Sequence, residues 1–448
     1  MTASQFRPLL GERGLLPVPE FIRAVPFRRS PSLFYWRFSD RLVAIVSWAG
    51  VALAALVISG LPDAWPLGLV MLVWFCLWAL YLSIVNVGQT FYAFGWETLL
   101  LETGFLAIFL GPAWTAPALP LVYLLRWLVF RVEFGAGLIK IRGDECWRDL
   151  TCLYYHHETQ PMPNPLSWYF HHLPNALHRA EVAGNHFAQL VVPFFLFFPQ
   201  PIASLAGLVI VITQSWLLLS GNFSWLNAIT IVLAVSAFDD AALGRVVPIA
   251  RSDVAPDAVH LWLATAVTAL VVVLSYRPAR NLVSRRQLMN YSFDPLHLVN
   301  TYGAFGSVTK ERDEVIVEGT DAAVLLSDTV WREYEFKGKP GDVMRRPPQY
   351  APYHLRLDWL MWFAAMSSPL YHEWFVPFLA KLLEGDAATL RLLRTNPFPD
   401  APPRFVRARL YHYRFTTPRE RRETGAWWHR TLIGEYVRPL TLRTADAF

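Results

Sequence analysis

The sequence has 448 residues, of which 54% are hydrophobic and only 17% charged, and its mean hydropathy is +0.30. A soluble domain carries about 25% charged residues, and several apolar runs here approach the ~20 residues that cross a bilayer, so a wholly soluble protein is excluded. Three cysteines exclude a disulfide-stapled secreted scaffold, and the net charge of +5 is only mildly basic.

Residues 1–41 carry seven arginines interleaved with aromatic side chains, directly before the first apolar run. This composition is typical of an interfacial segment that lies on anionic lipid. Nucleic-acid binding is the other interpretation of a basic, aromatic stretch. Because a membrane span follows at once, we expect the lipid bilayer as the partner and no nucleic acid.

Apolar runs predict a membrane domain of six to eight helices over residues 42–276, interrupted by a loop at 134–186. The clearest runs, at 42–60 and 67–87, contain no charge. The other predicted helical runs are 99–113, 119–132, 187–198, 202–219, 223–238 and 261–276.

Four ionisable residues lie in or beside the third and fourth runs: Glu97, Glu102, Arg126 and Arg131. Charges at membrane depth are costly, so these side chains pair with each other inside the bundle or reach the headgroup level. The sequence leaves both interpretations open.

Charged residues return after the last run, and residues 277–448 predict a small α+β domain. Strands are expected at 315–319 and 331–336 and helices at 357–366 and 374–383. Residues 277–295 contain no glycine, so we expect close docking on the membrane domain. The alternation within 331–336 predicts that Tyr334 and Phe336 are core residues while Trp331 lies partly at a surface groove.

The most unusual stretch is residues 140–186, where six of the twelve histidines fall between positions 156 and 186. Histidine and glutamate are metal ligands and acid–base groups, but there is no HExxH spacing, and we expect ordered, hydrogen-bonded side chains with no metal and no cofactor. His178 is a further ligand in the metal interpretation. The candidate residues for a polar pocket at the membrane interface, where they would contact each other or the buried charges, are His156, His157, Glu158, His171 and His172.

Cys146 and Cys152 enclose five residues, too many for a CxxC redox motif. They close a small disulfide if the loop faces an oxidising compartment, and otherwise are two buried thiols. We predict Cα atoms within the ~4.4–6.8 Å that a disulfide needs.

Long and unusual sequence motifs resemble those of the lipase maturation factor family over roughly residues 30–430. They run from Gly135 through Gly143-Asp144 to Cys146-Trp147-Arg148-Asp149-Leu150-Thr151, and recur at 154–165, 300–306, 331–337 and 353–359. The resemblance implies a multi-span α-helical membrane bundle followed by a soluble domain. It also implies a chaperone-like maturation factor that assists a client protein such as a secreted lipase, without enzymatic activity of its own.

The resemblance implies that the C-terminal motifs contact the client, through Trp331, Tyr334, Asp358 and Trp359. It places the protein in the endoplasmic reticulum membrane if it is eukaryotic. The Ala- and Arg-rich composition fits a bacterial member, for which the plasma membrane is expected.

The alternative function is an integral-membrane enzyme with its active site in the 140–186 loop, distantly similar to vitamin K-dependent carboxylases. No lysine matches the catalytic lysine of that group convincingly, since Lys140 is the only lysine before residue 310. We therefore favour the maturation factor.

Overall fold

The computed structural model describes residues 2–246 and 254–445. Its membrane half contains α1 to α15, and its C-terminal half contains a four-stranded sheet with α16 to α20. The first group of helices is α1 (Thr2–Leu10), α2 (Val18–Ala24), α3 (Asp40–Ile58), α4 (Leu67–Asn86), α5 (Gly95–Ala107), α6 (Leu119–Arg142), α7 (Glu145–Arg148), α8 (Leu153–Thr159), α9 (Ser167–His171), α10 (Asn175–Leu190), α11 (Ile202–Ser220), α12 (Leu226–Ala234), α13 (Asp240–Leu243), α14 (Ala258–Leu274) and α15 (Tyr276–Val283).

The C-terminal elements are β1 (Arg312–Thr320), β2 (Arg332–Glu333), α16 (Arg356–Ala365), α17 (Phe375–Leu383), α18 (Ala387–Leu390), β3 (Phe405–Phe415), α19 (Pro418–Thr424), β4 (Trp428–Leu440) and α20 (Leu442–Ala445). The sheet is antiparallel throughout, with the order β2-β1-β3-β4. It is the small α+β domain that the sequence predicts.

Four helical segments in the described ranges are long and apolar enough to cross a bilayer: α3, α4, α11 and the continuous α14–α15. The helix α6 has 24 residues but carries five charges, and α5 and α12 are short. The multi-span membrane bundle is therefore confirmed, while the count of six to eight helices stays a prediction. Helix α6 runs to Arg142, beyond the predicted start of the loop at residue 134.

Two glycines let the chain after the last span approach α6 closely. A Cβ atom on Gly135 would lie 2.4 Å from the carbonyl oxygen of Tyr302, and one on Gly143 would lie 2.0 Å from that of Gly306. Any larger residue would force the 302–306 segment away from the helix. This contact is the close docking that the glycine-free connection predicts.

The four charges noted in the sequence are buried and bonded inside the protein, Glu97 and Glu102 in ion pairs and Arg126 to backbone carbonyls. Arg131 and Glu102, each 1% exposed, form an ion pair, and Arg131 also donates to the carbonyl of Asn300 at 2.7 Å. Glu102 Oε2 accepts from the Asn300 backbone N–H at 3.0 Å and from the Tyr302 hydroxyl at 2.7 Å. Arg126 donates to backbone carbonyls, including that of Leu196 at 3.1 Å.

Helix α1 packs into the core of the C-terminal domain. Phe6 is buried in one apolar cluster with Val315 of β1 and Phe378 of α17. Gln5 Nε2 donates to the carbonyl of His354 at 2.7 Å, and Gln5 Oε1 accepts from the Arg356 N–H at 3.1 Å. Part of the predicted interfacial segment 1–41 is thus a core element, and its contact with lipid stays a prediction.

The predicted strand at 331–336 is shorter than expected, since regular pairing covers only β2 and one further bridge joins Glu335 to Thr395. Its side-chain alternation is as predicted: Tyr334 and Phe336 are buried, and Trp331 is half-buried.

We predict that Glu102→Ala lowers the free energy of unfolding by about 3–5 kcal/mol, because Arg131 would remain buried without its partner. Thermal and denaturant unfolding in detergent measure the loss. Glu384→Ala is the matched control, since Glu384 pairs with Lys381 at the surface, where a pair contributes about 0–1 kcal/mol. Equal losses in the two variants would contradict the prediction.

Candidate functional site

The 143–190 region is ordered as four helices, α7 to α10, packed between the bundle and the sheet. Helix α8 presents Glu158 to the end of β3, where Glu158 Oε2 accepts from the Phe415 N–H at 2.5 Å. The Arg312 guanidinium of β1 donates to the Glu158 carbonyl at 3.0 Å. Trp168 Nε1 of α9 donates to the carbonyl of Thr416 at 2.8 Å. These contacts dock the His-rich region on the soluble domain.

The five candidate residues divide between clusters instead of forming one pocket. His171 Nε2 lies 3.7 Å from Glu158 Oε2, His172 Nδ1 is hydrogen-bonded to the Trp168 carbonyl at 2.7 Å, and His156 packs edge-on against Phe305. Within the described ranges, none of the five has a hydrogen bond to the bundle charges at 97, 102, 126 and 131. Glu158 and His171 are the one close pair among them.

Burial controls the protonation of these groups. Burial raises the pKa of Glu158, and the hydrogen bond from the Phe415 N–H opposes this rise. Burial lowers the pKa of both His156 and His171 to about 3, so both imidazoles are neutral at neutral pH. Among the described residues, Nδ1 of each of these two imidazoles is buried without a hydrogen-bond partner, so both act as packed, neutral core groups.

A second cluster joins His157 to α10, where His178 and Glu181 share one face at i, i+3 spacing. One ligand atom from each residue lies within 4.8 Å of the others, and His157 Nε2 is 3.9 Å from Glu181 Oε2. Two imidazoles and a carboxylate are a ligand set that zinc accepts. Glu181 is not among the residues expected from the sequence, although the HxxE spacing on a helix is the signal for it. The absence of a metal stays a prediction.

Cys146 and Cys152 are joined by a disulfide, with Cα atoms 4.8 Å apart, inside the range predicted. The pair lies in an apolar cluster with Trp147 and Val182. Cys76, within α4, is a free thiol.

The four expected client-binding residues differ in accessibility. Only Trp331 is partly exposed, with the Arg407 guanidinium stacked 3.8 Å from its ring centre. Tyr334, Asp358 and Trp359 are buried. Asp358 Oδ1 accepts from the Gly338 N–H at 2.6 Å, so this carboxylate stabilises the 338–341 turn. Because Asp358 is buried, it has no surface with which to contact another protein directly.

The loop between β1 and β2 adds exposed apolar residues that the sequence analysis did not single out. Val324, Leu326 and Val330 are 67%, 67% and 73% exposed. They lie directly before Trp331 in the chain. The signal for them in the sequence is the short apolar run at 322–326.

A cavity of about 1350 Å³ lies between the bundle, the 302–306 segment and α16. Its wall is mainly apolar, but Glu133, Lys140, Gln189 and Gln214 line it as buried polar groups. In the sequence Lys140 stands out only as an isolated lysine, and Glu133 is not among the expected site residues.

The fold and this site define a multi-pass membrane protein whose soluble sheet domain is docked on the bundle through a His-rich region. A family model described as the lipase maturation factor transmembrane domain matches residues 1–245, and that of the C-terminal domain matches residues 298–438. The chain belongs to the lipase maturation factor family, as its sequence motifs predict.

Similar proteins support this membership along the whole chain. Lipase maturation factor 1 of Mus musculus is 44% identical over 480 residues, covering 98% of this chain and 83% of the relative. The Homo sapiens protein of that name is 42% identical over 483 residues, covering 98% and 84%. Lipase maturation factor 2 of Homo sapiens is 29% identical over 521 residues, covering 88% and 71%. No solved structure matches the chain.

We predict that Glu158→Ala destabilises the protein by about 1–3 kcal/mol, because the Phe415 N–H loses its buried acceptor. Glu158→Gln keeps an acceptor oxygen and serves as the control, with a smaller expected loss. Unfolding in detergent measures both. An alanine variant of unchanged stability would show that Glu158 is not a docking residue.

We predict that replacing Cys146 and Cys152 together by serine lowers the free energy of unfolding by about 2 kcal/mol, because the closed loop is short. Cys76→Ser is the control and should change little. Alkylation of the unfolded, unreduced protein checks the bond itself: one thiol should react in the parent chain and none in the control. Three reactive thiols in the parent chain would be the contrary result.

Proposed function

We propose that this chain is a membrane-embedded maturation factor that assists the folding or assembly of a secreted lipase. The observation that carries the proposal is the match to proteins named lipase maturation factor 1, at 42–44% identity over 98% of the chain. A match that continues from the first helix to the last strand includes both the membrane half and the soluble half on which a client would depend.

The orientation that we propose follows from the disulfide. A disulfide between Cys146 and Cys152 requires an oxidising compartment, which is where secreted lipases fold. The sheet domain lies on the same side, since Trp168 and Glu158 bond to its residues 415–416. Both soluble parts would then face the lumen of the endoplasmic reticulum in a eukaryotic cell, or the outside of the plasma membrane in a bacterium.

The client surface that we propose is the 321–331 loop, which ends at Trp331. We propose that its three exposed aliphatic residues, which precede the half-buried indole and the edge strand β2, form an apolar strip with that indole. Solvent-exposed apolar strips of this kind mark protein interaction sites. Tyr334, Asp358 and Trp359 would support the strip from the core.

Glu158 and the histidines support a maturation factor over an enzyme. The carboxylate accepts from a backbone N–H of the sheet, and His172 is engaged by a backbone carbonyl. Groups held in this way stabilise the docking of two domains, which a client-binding scaffold requires.

The test expresses a secreted lipase in cells that lack their own maturation factor, with or without this chain. We expect the chain to raise the ratio of lipase activity to lipase mass in the medium. A chain that reaches the membrane, melts normally and leaves this ratio unchanged for several lipases would contradict the proposed function.

Within that assay, we predict that the double variant Leu326→Ser, Val330→Ser reduces lipase maturation about tenfold, because losing two anchors of this kind removes binding energy of ~1.4 kcal/mol or more. Leu370→Ser is the matched control, because Leu370 is 81% exposed outside the strip. The membrane level and melting temperature of each variant should equal those of the parent. Equal maturation by the double variant and the control would remove the loop as the client surface.

A further inference from the structure

The cavity beside α6 holds a buried cation whose hydrogen-bonding capacity is incompletely used. Lys140 is 5% exposed, and its Nζ donates to Gln189 Oε1 at 2.8 Å. Within the ranges that the structure describes, no carboxylate oxygen lies within 4.0 Å of this ammonium group. An ammonium group carries three donors, of which Gln189 takes one, and the Trp147 ring centre lies 5.4 Å from Nζ, so Lys140 keeps donors for an anion in the cavity.

The remaining polar groups of the cavity leave this end of it electropositive. Two carboxylates line the cavity: Glu133, which interacts electrostatically with Lys140 and whose Oε1 accepts from Gln214 Nε2 at 2.6 Å, and Glu181. Against them stand Lys140 and three exposed arginines that also line the cavity: Arg142, Arg285 and Arg286. The basic residues outnumber the acidic ones, so the cavity favours a negatively charged group at the basic residues that end α6.

The rest of the wall is hydrocarbon and belongs to the membrane-embedded helices. Ile212 and Trp216, on the candidate span α11, line the cavity and are 58% and 43% exposed. Leu217 and Leu226 continue the apolar wall. The cavity thus combines an apolar wall on a candidate membrane span with basic residues at the end of α6.

The size of the cavity decides between ligand classes. Drug-sized ligands occupy pockets of about 300–1,000 Å³, whereas this cavity has about 1350 Å³. A free phosphate ion would leave the apolar volume empty. We propose that the cavity binds one anionic phospholipid, with its phosphate at Lys140 and its acyl chains along α11 and α12.

The test uses the full-length chain in detergent and native mass spectrometry with dioleoyl phosphatidylglycerol, dioleoyl phosphatidylcholine or inorganic phosphate. The anionic lipid should be retained as one molecule per chain and more strongly than the zwitterionic one. In Lys140→Gln its retention should fall at least about tenfold, the effect of losing one charge-assisted bond. Lys381→Gln, at a surface lysine paired with Glu384, is the control and should retain the lipid.

A second variant tests the cavity rather than the charge. A Cβ atom on Gly184, which lines the cavity from α10, would meet no atom within 4 Å, so this position accepts a side chain and Gly184→Trp adds bulk at the cavity wall. We expect it to melt like the parent chain and to lose the lipid. Equal binding of both lipids in the parent and Lys140→Gln would overturn the proposal, and so would displacement of phosphatidylglycerol by millimolar inorganic phosphate.

Discussion

One buried ion pair joins the two halves of this protein. Glu97 at the start of α5 and Arg356 at the start of α16 are fully buried, and Arg356 Nη1 donates to Glu97 Oε1 at 2.6 Å. The tyrosine hydroxyl of residue 81 also donates to Glu97, and the guanidinium lies 3.5 Å from the ring centre of Tyr92. Neither charge is tolerable alone in this surrounding, so the sheet domain cannot leave the bundle without a large cost. The His-rich region, the cavity and the sheet therefore have fixed positions relative to each other.

The sequence predicted what periodicity and composition determine. The clear spans, the α+β domain and the alternation of Trp331, Tyr334 and Phe336 depend on apolar residues at regular spacing, which a single chain displays. It did not predict which partners the buried charges would choose. The pairing of Glu97 with Arg356 joins residues 259 positions apart, and nothing local in the sequence encodes that distance. The five candidate polar residues fall in two short runs, 156–158 and 171–172, and they divide between separate clusters because neighbours on a short helix point in different directions.

The two proposals use different parts of the fold. The client surface is a loop and a sheet edge in water, whereas the lipid cavity lies at the boundary of the bilayer, between α6, α10 and α11. Helix α10 contacts both α6 and the His-rich helix α8, and the latter contacts the sheet through Glu158. A ligand that orders α10 would thus stiffen the support of the sheet domain, which gives bilayer composition a physical route to the soluble half.

The packing of α1 against the C-terminal domain has a consequence for synthesis of the chain. Phe6 packs against Phe34 and Tyr92, which follow it closely in the chain, whereas Gln5 bonds to residues 354 and 356. The apolar face of α1 can therefore be covered early, but the buried Gln5 amide finds its partners only when α16 begins to be made. A premature stop codon before residue 354 would leave this amide without them. Truncated products should therefore carry a defect in α1, far in the sequence from the residues that they lack.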